Sequence, residues 1–303
     1  MATKTLVIGG TGLVGGHAAL YLRSKGSDVT IAGRKRPSDV PALSELPFIQ
    51  GNYLNGDFGK EILSKFEAVV FAAGSDVRHV PVGQHADEHY LYANGQAIPE
   101  FGNIAKQAGV KKFIHIGSAY PHIIPEAISF SPYVRSRKLA ADGLTSLAGP
   151  EFHVCSLDAP FIVGNVPGMI VPMFRAYIDY ARENLPIPLF APHGGLNFIS
   201  TQSLSEAIAG ALENSQAISG KAILVGDQNM TYAEYFQMFF QAVGNGQRLE
   251  SLGQDHPLLP RATLFAGDKV VEYQPDPAEL ALLGGYRRDD IQNAIENLVT
   301  EYQ

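Results

Sequence analysis

The chain has 303 residues, 46% hydrophobic and 17% charged, and a net charge of −7. That size suits one large α/β domain or a nucleotide domain with a smaller one, and the acidic balance argues against nucleic acid or an anionic membrane as the main partner. No apolar run approaches the ~20 residues of a membrane span.

The first strand is Thr5-Leu6-Val7-Ile8, a β-branched apolar run that starts close to Met1 and leaves no room for a signal peptide. It leads straight into Gly9-Gly10-Thr11-Gly12-Leu13-Val14-Gly15-Gly16. A helical apolar pattern follows from Leu13 to Lys25, and Gly26 stops it. The turn satisfies G-x-G-x-x-G through Gly10, Gly12 and Gly15, and G-x-x-G-x-x-G through Gly9, Gly12 and Gly15. Strand, loop and helix are the setting a dinucleotide fingerprint needs. The first helical N–H groups, near Leu13 and Val14, have no partner inside the helix and suit a phosphate.

Val29-Thr30-Ile31-Ala32 is the second strand, which makes a β-α-β unit with parallel strands. Phe48-Ile49-Gln50 reads as a short third strand and Ala68 to Ala73 as a fourth, apolar throughout. A helix covers roughly His85 to Ala108, with an irregularity near Pro99. Lys112 to Ile116 is a fifth strand, Tyr133 to Leu147 a helix, and Phe152 to Leu157 a sixth strand. The alternation predicts a Rossmann-type doubly wound parallel sheet over residues 1–157. Residues 158–303 change texture, with frequent proline between Pro160 and Pro192, and read as a smaller C-terminal substrate domain. Helices are expected at Gln202–Glu213, Tyr232–Val243 and Arg288–Tyr302, and a strand at Ala222–Val225. Elements around 199–226 are expected to return to the first sheet.

An NAD-binding fold usually carries an acid ~20 residues past the glycine loop, on the ribose hydroxyls. That corner here reads Gly33-Arg34-Lys35-Arg36. Its cations would hold a 2′-phosphate that an acid would repel, so the expected cofactor is NADP(H), with Arg34 the first contact and Lys35 or Arg36 assisting. Gly33 is expected to let the adenosine approach. Ligands in open α/β sheets lie beyond the carboxyl ends of the strands, which brings in Asn52-Tyr53 and Ala72-Ala73-Gly74.

Ser118 ends the fifth strand, and Tyr133 and Arg137 are four apart on a helix and share a face. A cation there is expected to lower the Tyr133 pKa, as a proton donor to a carbonyl requires. Cys155 reads as a buried small hydrophobe and His115 as a packed strand residue. His79, His85, His89, His122 and His193 show no metal-ligand spacing, so no metal is expected, and His85 with His89 reads as a helix surface. The lone cysteine and the absence of a span point to a soluble cytoplasmic protein acting on a small molecule; a homodimer is compatible with the sequence.

In these residues the chain resembles the short-chain dehydrogenase/reductase superfamily, in its extended or atypical, epimerase/dehydratase-like branch. The glycine loop, Asn94-Gly95-Gln96-Ala97, Lys111 to Ser118 and Ser131-Pro132-Tyr133 fall in the family's order. Leu157 to Gly164 looks like the segment that passes the nicotinamide, which implicates Pro160 and Ile162, and Leu282 to Tyr286 looks like the family's C-terminus. The resemblance implies that Ser118 orients the substrate oxygen, that Tyr133 moves the proton, and that Asn94 helps order the nicotinamide region. It implies a lysine four after the tyrosine. Arg137 stands there, with Lys138 next to it. Asp158 stands where the branch often has arginine, and Ser200-Thr201-Gln202-Ser203 where it often has a histidine followed by acids.

These departures argue against a standard sugar-nucleotide enzyme. Phe161, Met169, Met173, Phe174, Phe190 and Phe198 make the expected substrate side apolar. The leading expectation is an NADPH-dependent reductase of a ketone or aldehyde. An epimerase or dehydratase with retained cofactor is the alternative, as is a non-catalytic NADP(H)-binding sensor.

Overall fold

Apolar runs joined by helical crossovers return the chain in the same direction each time, and seven strands accordingly pair in parallel. The chain's strands are β1 (Lys4–Ile8), β2 (Asp28–Gly33), β3 (Phe48–Gln50), β4 (Ala68–Phe71), β5 (Lys112–Ser118), β6 (His153–Ala159), β7 (Phe161–Val163), β8 (Phe190–Pro192), β9 (Gly195–Ser200), β10 (Lys221–Leu224), β11 (Gln228–Thr231) and β12 (Glu250–Leu252). The structure, a computed structural model, describes residues 2–260 and 263–302. The main sheet runs β10-β6-β5-β4-β1-β2-β3 and reverses its winding between β1 and β4. This is the expected Rossmann-type doubly wound sheet, and its switch point is where ligands settle in such folds.

Side chains alternate across the sheet, and each face buries its own set. Val7, Ile31, Val70, Ile114 and Leu157 pack beneath the Leu13–Ser24 and Thr201–Glu213 helices. Leu6, Val69, Phe71, Phe113 and Val154 pack on the other face with Ile98 and Phe101 of the Ala97–Gln107 helix and Leu144 of the Pro132–Thr145 helix. Each such large apolar side chain contributes ~1.5–3 kcal/mol on burial. Cys155 lies in the first of these cores, 1% exposed.

The glycine loop shows why particular glycines stand where they do. Gly9 has φ +78°, and a Cβ on it would meet the Ala72 carbonyl oxygen at 2.8 Å. A Cβ on Gly10 would meet the Ile31 side chain at 2.7 Å, and one on Gly15 the Gly9 carbonyl oxygen at 2.4 Å. Gly12 differs: a Cβ there meets only the Gly9 oxygen, at 3.5 Å. Three glycines let strand and helix approach, and the fourth leaves space open in front of the helix.

Past β6 the chain builds β11-β9-β7 and the β12-β8 pair around a separate aromatic core of Phe174, Tyr177, Phe198, Tyr235, Phe236 and Phe239. Before that core closes, β10 pairs with the edge of β6 and the Thr201–Glu213 helix packs on Leu13–Ser24.

Three expectations need correction. The helix read over His85–Ala108 is three pieces: Ala86–Tyr90, a wide π turn at Leu91–Gln96, and Ala97–Gln107. Pro99 has no N–H to return to the Gly95 carbonyl, so regular pairing fails upstream of it. His89 is not surface: it is 7% exposed and its Nε2 lies 2.8 Å from Ser75 Oγ. The closing helix begins at Ile291 rather than Arg288, because the buried Asp227 carboxylate accepts the Asp289 and Asp290 N–H groups at 2.6 and 3.0 Å and holds that segment out of the helix.

The loop contacts predict a contrast. Gly15→Ala should cost about 1–3 kcal/mol by overpacking, whereas Gly12→Ala should be nearly neutral. Urea unfolding of the two variants checks it.

Candidate active site

The floor of the site is the glycine loop. Its backbone is pinned by Gly9 and Gly10 N–H groups donating to the Ala32 carbonyl at 3.0 and 3.2 Å. No side chain caps the Leu13–Ser24 helix and its first turn carries no acid. The amides of Leu13, Val14 and Gly15 therefore face the open side of Gly12 as unspent donors at the positive end of the helix. A pyrophosphate fits this cradle. Thr11 packs its side chain against Gly33, where a Cβ would stand 2.6 Å from Thr11 Oγ1. Gly33 is thus required by Thr11, which is a different reason from the one its place in the corner suggests.

Around this floor the strand ends supply the expected residues. Arg34, Lys35 and Arg36 are exposed at the end of β2. Arg36 does not share the corner: its guanidinium stacks over Phe48 at 5.0 Å and its Nη1 reaches the Ser44 carbonyl at 3.4 Å. Among the described residues no ion pair engages Arg34 or Lys35. Asn52 spends its side chain on Leu54 N–H at 3.1 Å. Tyr53 donates to the Ala93 carbonyl at 3.2 Å and sets its ring edge-on to Phe71 at 5.2 Å. Its pKa is pushed up to about 12 by burial, against the pull of Arg137 and Arg34. Ala72 and Ala73 back the glycine loop. Asn94 is fully buried in the π turn and clamps the loop after β4. Its Oδ1 accepts from Ser75 N–H at 2.8 Å, and its Nδ2 donates to Ser75 O at 2.9 Å and to Ser136 Oγ at 3.1 Å. Any effect of Asn94 on a cofactor is therefore through the loop it fixes.

Ser131 and Pro132 start the helix that bears Tyr133 and Arg137, the Ser131 hydroxyl accepting from Val134 N–H at 3.3 Å. Tyr133 sits in its first turn and Arg137 one turn on. Arg137 is 6% exposed, with Nη2 donating to the Ile116 carbonyl at 2.7 Å. Gly74 makes room for it: a Cβ there would lie 2.2 Å from Arg137 Nη1. Ser118 closes β5 two residues past Ile116, 7% exposed, its Oγ accepting from Tyr120 N–H at 3.4 Å. The expected lowering of the Tyr133 pKa is not found. Burial moves it up, Arg137 pulls it back, Asp76 adds to the rise and Arg78 opposes it.

The apolar candidates divide. Phe198 does not line the site: it is fully buried, stacked on Tyr235 at 4.4 Å. Phe174 and Phe190 are likewise core. Pro160, Phe161 and Ile162 are half-buried beyond β6, as are Met169 and Met173 at the margins of the two cores. Sequence reasoning missed Phe265. Its ring stacks on Tyr133 at 5.3 Å and 9° and meets Tyr120 edge-on at 4.8 Å. Tyr90 meets Tyr133 from another side at 5.4 Å. No periodicity marks a lone aromatic in a loop over 130 residues from its partner. A second missed feature is Asp158, 2% exposed, whose Oδ2 lies 2.6 Å from His122 Nε2. The charge reversal at Asp158 was visible; the histidine that answers it was not.

A doubly wound sheet, a glycine loop at its switch point and a helix presenting tyrosine beside the fifth strand define the extended branch of the short-chain dehydrogenase/reductases. Residues 5–223 match the NAD dependent epimerase/dehydratase family, and the chain belongs to it. No curated protein matches the chain in sequence. Among solved structures, the chain is similar to gox2253 at 20% identity, TM-score 0.77, covering 99% of this chain and 98% of that one. It is similar to a UDP-glucose-4-epimerase from Stenotrophomonas maltophila, solved with NAD and formylated UDP-arabinopyranose, at 19% identity, TM-score 0.76, over 99% and 98%. A UDP-glucuronic acid 4-epimerase from Bacillus cereus, in complex with NAD, gives 17% identity, TM-score 0.71, over 99% and 100%. At these identities the likeness is one of fold.

The Asp158 contact raises the His122 pKa above 6.5, with burial and Lys138 opposing and Asp142 assisting. A raised folded pKa gives stability that is fully present below the unfolded value and is lost as pH rises through the folded one. His122→Gln should therefore cost most in mildly acidic solution and converge on wild type as pH rises. Melting temperatures of both proteins across that range check it.

Proposed function

We propose that the protein is an NADP(H)-linked oxidoreductase that reduces a ketone or aldehyde to an alcohol, with Tyr133 as proton donor. The observation that carries it is Tyr133 one helical turn from the buried cation Arg137, whose guanidinium holds the Ile116 carbonyl two residues before Ser118, in a fold whose glycine loop is open at Gly12. The nicotinamide, when bound, supplies the hydride. Ser118 holds the substrate oxygen, and the Tyr133 hydroxyl gives it a proton as the carbonyl carbon becomes a carbinol. Arg137 stabilises the tyrosinate left behind, and as a guanidinium it holds charge without passing on a proton. A Tyr133 pKa raised by burial keeps the phenol protonated at neutral pH. A raised pKa also makes the phenol a weaker acid, which the charge of Arg137 has to offset. The rings of Phe265 and Tyr120 and the half-buried Phe161 support an apolar substrate. We assign residues 158–303 mainly to the substrate side and residues 1–157 to the cofactor.

Family membership favours a second reading, an epimerase or dehydratase that keeps its cofactor bound. The two readings part on turnover. The first consumes NADPH with a carbonyl compound; the second leaves the cofactor pool unchanged. Tyr133→Phe should keep the fold and NADPH affinity and lower turnover by ~10²–10⁴, the usual contribution of a positioned acid. Stopped assays of NADPH absorbance over a panel of carbonyl compounds measure it. Full activity in Tyr133→Phe would remove the tyrosine from the mechanism.

The choice of NADP(H) rests on Arg34 and Lys35 standing where an acid would bind ribose hydroxyls. Arg34→Ala should weaken NADPH binding about ten- to a hundredfold, as for a lost charged hydrogen bond, and leave NADH binding nearly unchanged. Fluorescence titration with both nucleotides decides it.

A further inference from the structure

Three rings from separate stretches of the chain meet at Tyr133. Tyr133 opens the Pro132–Thr145 helix, Tyr120 stands two residues after Ser118, and Phe265 comes from the segment 263–271 of the C-terminal half. The Phe265 ring lies within 9° of parallel to the Tyr133 ring at 5.3 Å, and it stands edge-to-face with Tyr120 at 4.8 Å. The Tyr120 N–H in turn donates to Ser118 Oγ at 3.4 Å. Phe265 thus touches Tyr133 directly and reaches the Ser118 arm through Tyr120. A carbonyl held between Ser118 and Tyr133 has its substituents on the side where these two arms share a ring.

The segment bearing Phe265 is anchored on both sides of it. Leu264 is 7% exposed and rooted in the C-terminal aromatic core. Beyond Phe265, Gly195 N–H donates to the Lys269 carbonyl at 3.2 Å, and Val271 N–H donates to the Gly195 carbonyl at 3.0 Å. Gly194 lets the backbones approach: a Cβ there would stand 2.8 Å from the Gly267 carbonyl oxygen and 3.1 Å from that of Lys269. Phe265 and Ala266 are laid by these anchors onto Ile124, Ala127 and Val134. Phe265 is nonetheless only half-buried, so the protein leaves part of it uncovered. Any large apolar side chain would fill such a place. A ring adds a negative face and a positive edge, which a second flat ring matches and a puckered aliphatic one does not.

We propose that Phe265 sets the specificity of this site by packing against an aromatic ring next to the substrate carbonyl, which makes the substrate class aryl aldehydes and aryl ketones. Tyr120 supports this by holding the plane of Phe265. The proposal rests on the reading of Ser118 and Tyr133 as the groups that hold the carbonyl, and it narrows the apolar substrate of that reading to an aromatic one. Neither Phe265 nor Tyr120 takes part in hydride or proton transfer.

Benzaldehyde and cyclohexanecarbaldehyde differ chiefly in whether the ring is aromatic. The ratio of kcat/KM for the first to that for the second should fall about two- to tenfold in Phe265→Leu, the worth of one ring–ring contact. Taking the change in the ratio cancels the different reactivities of the two aldehydes. Phe265→Tyr keeps the ring and should keep most of the ratio. Binding without turnover is read from the dissociation constants of benzyl alcohol and cyclohexylmethanol on protein saturated with NADPH, where no reaction follows; their ratio should shift by a similar factor in Phe265→Leu. Ratios that do not change in a folded Phe265→Leu protein overturn the proposal, and if the wild type still reduces the aldehydes the reductase reading survives. A wild type that neither reduces the aldehydes nor binds either alcohol also overturns it. A wild type that reduces neither aldehyde, yet prefers benzyl alcohol and loses that preference in Phe265→Leu, leaves Phe265 in its role and removes the reductase reading instead.

Discussion

The constraint on which the site depends is the burial of a charge that cannot be given up. A guanidinium stays protonated at any accessible pH. Once Arg137 is placed under the sheet's edge, its surroundings must adapt. Gly74 must lack a side chain, the Ile116 carbonyl must accept from the guanidinium, and His115 must stay neutral. A lysine in this position could respond to its neighbours by losing its proton. Arginine instead sets their protonation, and Tyr133 feels both its field and the dry environment that burying it demands.

The second half of the chain matters to this site by what it places over it. Phe265 arrives from a segment packed between Tyr120, Ile124, Ala127 and Val134, so the helix bearing Tyr133 is covered from above by a loop whose own position depends on the C-terminal core. Two side chains tie the C-terminal segment to the stretch just past β10. One is Asp227, just past β10, which gathers Arg288 and the amides of Asp289 and Asp290. Another is Tyr286, whose hydroxyl both donates to and accepts from the Gly226 backbone, at 2.9 and 3.1 Å.

Most of the sheet was legible because strands buried on both faces are unbroken apolar runs; Ala68 to Phe71 could hardly be anything else. The glycine loop was legible for a similar reason, since sterics leave few alternatives to glycine at Gly9, Gly10 and Gly15. The irregularity in the helix through Asn94 was read at Pro99 rather than at Leu91–Gln96, because a π turn changes hydrogen bonding without changing composition. Phe198 was misassigned because an apolar residue bound for a core and one bound for a ligand look alike in sequence. The direction of the Tyr133 shift was misread for a related reason. The i, i+4 spacing reports the cation on the same helix, but desolvation comes from Tyr90 and Phe265, whose rings meet Tyr133, with Tyr120 packed in turn on Phe265.

The π turn at Leu91–Gln96 also bears on how the chain could have arrived at this arrangement. A wide turn absorbs one extra residue, and each residue rotates a helix by about 100°. Tyr90 before it and Ile98 and Phe101 after it are buried on faces that both meet the same neighbours, and Asn94 between them is turned inward to grip Ser75. The turn is thus a phase corrector, a single added residue that realigns two buried faces and gains an inward amide. Removing that one residue would return the stretch to regular helical pairing with its flanking faces kept, at the loss of the inward amide of Asn94.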